Sequence, residues 1–393
     1  MEDIYIVSGC RTAIGDFGGS LKSFMPSDLG GLVATEALKR AGVSPDEVEH
    51  VVIGQVMPTS ARDEMLSRAI ALKAGVPYPV PALTLNRLCG SGVEAIVSAA
   101  RLMQTGEASI TLAGGAESMS NVPYHDHGVR WGKKMGDNTQ EDALTVGLSD
   151  ALGGYHMGIT AENVAARHCV SREDMDALAV ISHQRASRAQ VEGRFKEQIV
   201  PVEIKTRKGV EVFDTDEHVK GNTTIDVLAA MRPAFKKDGT VTAANASGIN
   251  DGAAAVVLAT ASEVAKRGMK PLAKIVAWGH AGVEPEYMGE GPIKAVPIAL
   301  KRAGLSLDQM DVIESNEAFA AQAAAVAKVL GFDADKVNPN GSGVGLGHPV
   351  GATGCILTIK CAYELKRIGG KYGLITMCIG GGQGIALIIE NAE

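Results

Sequence analysis

The amino-acid sequence predicts an α/β protein of two duplicated halves, whose mixed sheets pack together, with an inserted loop domain between them. Three observations carry this. Short β-branched runs alternate with helical patterns, a helix ending recurs at a fixed spacing, and a long polar stretch interrupts the alternation.

In order, Ile4 to Val7 reads as a strand, Asp28 to Ala41 as a helix and His50 to Val56 as a strand. Ala82 to Asn86 is a short strand, Gly90 to Gln104 a helix of small residues, and Ser109 to Ala113 a buried strand. The same alternation returns later: helix Pro292 to Ala303, strand around Val312, helices Ala318 to Leu330 and Ala352 to Arg367, strand Leu374 to Met377. Leu38-Lys39-Arg40-Ala41-Gly42 repeats as Leu300-Lys301-Arg302-Ala303-Gly304, 262 residues on. Gly90-Ser91-Gly92 and Ala352-Thr353-Gly354 share that offset, each opening a helix. A basic turn ending in glycine is a common helix C-terminus, but two matches at one shift point to internal duplication. From about Met119 to Asn245 the pattern breaks into a polar stretch, two helical patterns (Ile159 to His168, Arg172 to Glu192) and charged strand-like pieces. An excursion of that size reads as an inserted domain rather than a linker. The expected divisions are 1–118 with 246–268 for the first half, 119–245 for the insert, and 269–393 for the second half.

Composition narrows the class. The chain has 393 residues, 46% hydrophobic and 21% charged, which is ordinary for a soluble globular protein. MEDIYIVSGC at the start does not read as a secretory signal, and no apolar run is long enough for a membrane span. The six cysteines show no C-x-x-C pair, which argues against structural zinc and against a disulfide framework. They fit a reducing compartment, so a cytoplasmic protein is expected. A formal net charge of -7 argues against a nucleic-acid binder. Basic residues do gather in one central stretch: Lys205, Arg207, Lys208, Lys220, Arg232, Lys236 and Lys237.

Four segments carry candidate chemistry. Cys89 sits in NRLCGSG (86–92), where a strand ends and a helix begins. A helix N-terminus favours negative charge, so a lowered thiol pKa and a usable nucleophile are expected there, and the glycines would let backbone N–H groups approach a ligand. A buried, inert cysteine is the plainer alternative. Gly90-Ser91-Gly92-Val93-Glu94-Ala95 also matches a dinucleotide fingerprint, weakly, with only Glu107 and Glu117 as loose partners for a ribose. His348 lies in the glycine-rich loop before the helix that duplication pairs with the one after Cys89. It would face Cys89 across a pseudo-twofold axis as its base, unless it merely satisfies backbone carbonyls. Cys378 in CIGGGQG (378–384) is a candidate proton shuttle beside glycines that could aim N–H groups at an oxyanion, or a core cysteine before a turn. Asn316 in SNEAFA (315–320) is a polar group opening a helix, or simply its N-cap.

Together and in this order the segments are specific. NRLCGSG, NEAFA (316–320), GHPVGATG (347–354) and CIGGGQG resemble the four active-site motifs of the thiolase family, along essentially the whole chain. GYHMGITAENVA (154–165) and NASGINDGAAA (245–255) resemble its CoA-facing segments. The likeness is strongest to the short-chain biosynthetic type, the acetyl-CoA acetyltransferases and β-ketothiolases. It departs in Ser315 where Ala is usual, in Gly341-Ser342-Gly343-Val344-Gly345, and in Thr353 where Ser is frequent.

The resemblance implies a thiolase-like fold and a reversible Claisen condensation of acyl-CoA to 3-oxoacyl-CoA by ping-pong transfer. Cys89 would be the acylated nucleophile, His348 its activator, and Cys378 the acid/base at the α-carbon. Asn316 would hold a water that, with His348, forms one oxyanion hole; the backbone N–H groups of Cys89 and Gly380 would form the other. His156 and Ser247 would line the pantetheine path, Met157, Met288 and Phe319 the acyl pocket, and Lys220 the nucleotide phosphates. No metal or redox cofactor is expected, since CoA and acyl-CoA are substrates. A homotetramer is implied, with Pro123 to Asp137 as its contact loop. The competing readings are a degradative thiolase of broader chain length, a decarboxylating ketoacyl synthase, a noncatalytic acyl- or lipid-binding relative, and a nicotinamide oxidoreductase.

Overall fold

A computed structural model describes residues 2–392. The first half comprises β1 (Ile4–Thr12), α1 (Pro26–Ala41), β2 (His50–Gly54), β3 (Ala82–Leu85), α2 (Ser91–Gln104) and β4 (Ile110–Ser118). After α3 (Met157–His168) and α4 (Arg172–Val191) comes β5 (Asn250–Thr260). The second half comprises β6 (Ala273–Gly282), α5 (Gly291–Ala303), β7 (Val312–Ser315), α6 (Ala320–Leu330), α7 (Val350–Ile368), β8 (Tyr372–Ile379) and β9 (Gln383–Asn391).

The duplication extends from sequence into geometry. Adding the 262-residue offset to β2 and β4 lands on β7 and β8, and each of these pairs is parallel. Each half then continues antiparallel, β4–β5–β1 in the first and β8–β9–β6 in the second. The repeated glycines Gly42 and Gly304 both terminate their helices in the left-handed conformation, at φ 63° and 67°. A side chain with a Cβ is disfavoured there, which is why the repeated ending contains glycine.

The two half-sheets are not separate. Ile4, Tyr5 and Ile6 of β1 pair with Ile275, Lys274 and Ala273 of β6, so the strands run continuously in the order β7-β8-β9-β6-β1-β5-β4-β2-β3. The sheet's two ends face each other across α2 and α7. Helix α2 packs on β2 and β4, while α7 packs on β4 and β5 of one half and on β7 and β8 of the other. α1 and α5 cover the outer faces. α7 is therefore buried on almost every side, including Ile356, Leu357, Ile359 and Leu365. Its buried cation, Lys360, is paired there with Glu314 of β7 at 2.9 Å.

The insert is tied to the first half. Ile199 and Val200 pair with Arg11 and Thr12 of β1, and Arg11 donates to both carboxylate oxygens of Asp216, at 2.7 and 2.9 Å, with both side chains buried. A bidentate guanidinium–carboxylate pair sets angle as well as distance. Among the described residues no helix is long and apolar enough to cross a membrane.

Where α2 and α7 cross, glycine permits contact of backbone with backbone. A Cβ on Gly92 would stand 2.6 Å from the Cys355 nitrogen, and one on Gly354 would run into the Val93 nitrogen. The glycines of the weak dinucleotide match therefore serve helix packing rather than a pyrophosphate. We predict that Gly354→Val destabilises the protein by about 3 kcal/mol, the upper end of overpacking costs because rigid backbone is what it meets. Urea denaturation checks this; stability equal to wild type would contradict the crossing.

Candidate active site

The N-termini of the two crossing helices open onto one cavity of about 860 Å³. Cys89 and His348, which precede α2 and α7, both line it, as does Gly380 from the turn after β8. Asn316 and Cys378 lie just behind its wall, both fully buried, at the C-terminal ends of the adjacent parallel strands β7 and β8. Ends of parallel strands are where open α/β sheets collect functional groups.

Cys89 is presented by a strained turn. Leu88 before it has φ 45°, an uncommon left-handed conformation for a residue with a branched side chain. Side chains hold the turn: Leu88 N–H donates to Asn86 Oδ1 at 2.8 Å, while Ser91 Oγ accepts from Arg87 N–H at 2.8 Å and donates to the Leu88 carbonyl at 2.7 Å. Such strain costs about 1–3 kcal/mol and persists only where the surroundings enforce it.

The expected low thiol pKa is not found. Burial pushes the Cys89 thiol up to about 11, against the smaller pull of two backbone N–H groups, of Gly380 and of Cys89 itself, aimed at its sulfur. Apolar surroundings make a sulfur anion expensive, and the helix N-terminus does not offset that. Burial likewise raises the Cys378 thiol well above its ordinary range, and the neighbouring Cys89 sulfur adds to it.

His348 is shaped by the same dryness, which holds it down to about 4. At neutral pH its ring is uncharged, and hydrogen-bond accounting fixes the tautomer. Thr353 Oγ1 gives its only hydrogen to the Pro349 carbonyl at 2.9 Å, so the 2.7 Å contact with His348 Nδ1 runs from ring N–H to hydroxyl. The lone pair is then on Nε2, where Asn316 Nδ2 approaches at 3.4 Å. Asn316 is not the helix cap its position suggested, because α6 begins four residues later with Phe319 at its N-cap. Its Oδ1 is buried without a protein partner.

The other expected residues, His156, Met157, Ser247, Met288, Phe319 and Lys220, also line the cavity. His156 caps α3, its Nδ1 accepting from Gly158 N–H at 3.0 Å, and its ring stacks on Phe235 with centroids 4.8 Å apart. Ser247 is fixed by backbone bonds along the 318–320 segment: Ser247 N–H to the Ala318 carbonyl, and Ala320 N–H to that of Asn245. Of the seven central basic residues only Lys220 reaches the cavity wall. Arg207 and Lys208 form the turn of an exposed hairpin.

Three residues that position the site were not picked out for that task from the sequence. Glu117 accepts from the backbone N–H groups of Val56, Met57 and Gly351, at 2.9, 3.1 and 2.8 Å, tying the first half's cavity wall to the first turn of α7. Burial pushes its carboxyl up to about 8 even so. Asn250 accepts the His348 N–H at 2.8 Å and donates to the Gly15 carbonyl. Phe235, which stacks on His156, stands in an unremarked polar stretch. An Asn beside Asp and Gly in NASGINDGAAA was the nearest signal for Asn250; the partners of Glu117 are all backbone and leave none.

Comparison with known proteins agrees with this geometry. Residues 4–262 match the family model "Thiolase, N-terminal domain" and 269–391 match "Thiolase, C-terminal domain". A beta-ketothiolase, BktB, of Cupriavidus necator is 56% identical over 391 residues, covering 99% of each chain. An acetyl-CoA acetyltransferase of Chromobacterium violaceum is 49% identical over 99% of this chain and 100% of its own. The crystal structure of human mitochondrial 3-ketoacyl-CoA thiolase in complex with CoA superposes with a TM-score of 0.97 at 44% identity, covering 100% of this chain and 98% of that one. With both family domains matched end to end and the cavity built from their two halves, the chain belongs to the thiolase family.

Proposed function

We propose that this cavity makes and cleaves the carbon–carbon bond of short-chain 3-oxoacyl-CoA by ping-pong acyl transfer through Cys89. The observation that carries the reading is one cavity holding a sulfur with two N–H donors aimed at it, an imidazole with its lone pair on Nε2, and a second sulfur behind. The solved human relative bound to CoA and the acetyltransferase and ketothiolase names of the bacterial relatives support CoA thioesters as substrates.

The proton and electron movements follow from the local chemistry. Burial raises the Cys89 thiol and lowers the His348 imidazole, so full transfer of the proton between them before any bond forms is strongly uphill. The Cys89 proton therefore passes to His348 Nε2 as sulfur attacks the thioester carbon. The carbonyl oxygen, turning anionic, meets the N–H groups of Cys89 and Gly380. CoA sulfur departs with the proton of Cys378, leaving an acyl group on Cys89, an imidazolium at His348 and a thiolate at Cys378. Acetyl-CoA then loses an α-proton to that thiolate, whose buried setting makes it a stronger base than a free thiolate of pKa about 8.5. The enolate oxygen rests on His348 Nε2–H and on a water held by Asn316, and its carbon attacks the acyl carbon. Cys89 leaves and recovers its proton from His348; cleavage is the reverse.

No step needs a metal or redox cofactor. Lys220 supports the nucleotide phosphates, while Met157, Met288, Phe319 and Phe235 form an apolar wall for a short acyl chain. The chemistry requires Cys89 and Cys378 reduced, and all six cysteines stand as free thiols, which supports a cytoplasmic setting. We further propose a homotetramer through the 123–137 loop, where Trp131 and Met135 are each 88% exposed in the single chain. A partner subunit would cover these apolar groups.

Cys89→Ala is expected to abolish synthesis and thiolysis alike, with turnover near wild type contradicting it. Cys378→Ser should accept radiolabelled acetyl groups on Cys89 yet condense poorly; normal condensation would remove Cys378 from the mechanism. Thiolysis rates over 3-oxoacyl-CoAs of increasing length should fall beyond the short members, and a flat profile would favour the broad-chain alternative. Light scattering should give four times the chain mass, against which a monomer at micromolar concentration would count.

A further inference from the structure

The neck of the loop that follows β4 gathers three metal-type donors outside the reaction cavity. Tyr124–His125 and Glu141–Asp142 form a small antiparallel ladder in which His125 stands directly opposite Glu141. His127 follows two residues after His125, and its Nε2 is 3.4 Å from Glu141 Oε1. One ring nitrogen from each histidine and one Glu141 oxygen all lie within 4.8 Å of one another. The imidazole planes stand at 83° with centroids 6.1 Å apart, so the rings are not stacked.

The turn after the ladder is organised by Asp126. Its Oδ1 accepts from Gly128 and Val129 N–H at 2.9 and 3.1 Å, and its other oxygen accepts from Asn138. Asp126 is thus engaged in shaping the loop and leaves the neighbouring histidines to face Glu141. In the single chain all three donors are exposed, and none lines the reaction cavity.

We propose that His125, His127 and Glu141 bind one zinc-class divalent cation, which takes two imidazole nitrogens, one carboxylate oxygen and a water. That donor set suits zinc and its transition-metal neighbours, whereas magnesium and calcium prefer oxygen alone. A tetrahedral ion about 2.1 Å from each donor places donors roughly 3.4 Å apart. The His127–Glu141 pair already has that spacing, and His125 closes the remainder by rotating an exposed side chain. The ion clasps the two strands of the neck and reduces the freedom of the loop between them. It takes no part in acyl transfer. The sequence led to the expectation of no metal, from the absence of a C-x-x-C pair and from a reaction that needs none; this site uses no cysteine and lies outside the reaction cavity.

Chelator-stripped full-length protein is dialysed against zinc chloride, and bound zinc is counted per chain in wild type, His127→Ala and Glu141→Gln. Counting the difference between variants excludes zinc held by the cavity thiols. Wild type is expected to bind one more zinc per chain than His127→Ala, and Glu141→Gln to bind at least about tenfold more weakly, since loss of an outer-shell partner alone costs that much. Equal zinc counts in wild type and His127→Ala overturn the site. Thiolysis by metal-free His127→Ala at the wild-type rate reports that the variant is folded.

Discussion

The close crossing of α2 and α7 is the constraint on which the cavity depends. Because Gly92 and Gly354 carry no Cβ, the two helices approach backbone to backbone, and their N-termini emerge side by side. Residues preceding each helix, Cys89 in one half and His348 in the other, then meet although 259 positions separate them in the sequence. Neither half can supply both. The joined sheet and the buried α7 hold the crossing from outside, and Glu117 repeats the tie at the cavity itself by binding Val56 and Met57 with one carboxylate and Gly351 with the same group.

That construction has an electrostatic consequence. Groups gathered between two half-sheets are dry, and dryness favours their neutral forms. Cys89 and Cys378 keep their protons, and His348 stays without one. Before substrate binds, such a site offers no thiolate to oxidants or stray electrophiles; the Cys378 thiolate of the proposed mechanism arises only in the acyl-enzyme. The site also makes every aligned donor worth more, because a hydrogen bond to a developing charge is stronger where water does not compete. Fixed donors such as the Cys89 and Gly380 N–H groups need no rearrangement when charge appears.

Much of this was legible in the chain. The 262-residue repeat located equivalent strands, helices and even helix-ending glycines, because local rules of capping and periodicity act on each copy alike. The motif order placed Cys89, His348, Asn316 and Cys378, which the fold gathers at one end of the sheet. What escaped depends on contacts distant in sequence. The β1–β6 pairing has no local signature, nor do Glu117 and Asn250, whose partners are mostly backbone groups far along the chain. The sign of the Cys89 shift was misjudged because a helix N-terminus is visible in sequence while the burial that outweighs it is not. Of the basic residues gathered in the central stretch, Lys220 lines the cavity, and its place there depends on the fold rather than on its neighbours in the chain.

The central claim is that the nucleophile rests as a neutral thiol and is ionised only by the reaction itself. Ultraviolet absorbance of thiolate, recorded against pH for wild type and subtracted for Cys89→Ala, measures this directly. The account predicts that the difference signal stays flat through neutral pH and rises toward a midpoint pushed up to about 11. A midpoint below the free-cysteine value of about 8.5 would contradict it and place a preformed thiolate–imidazolium pair in the site.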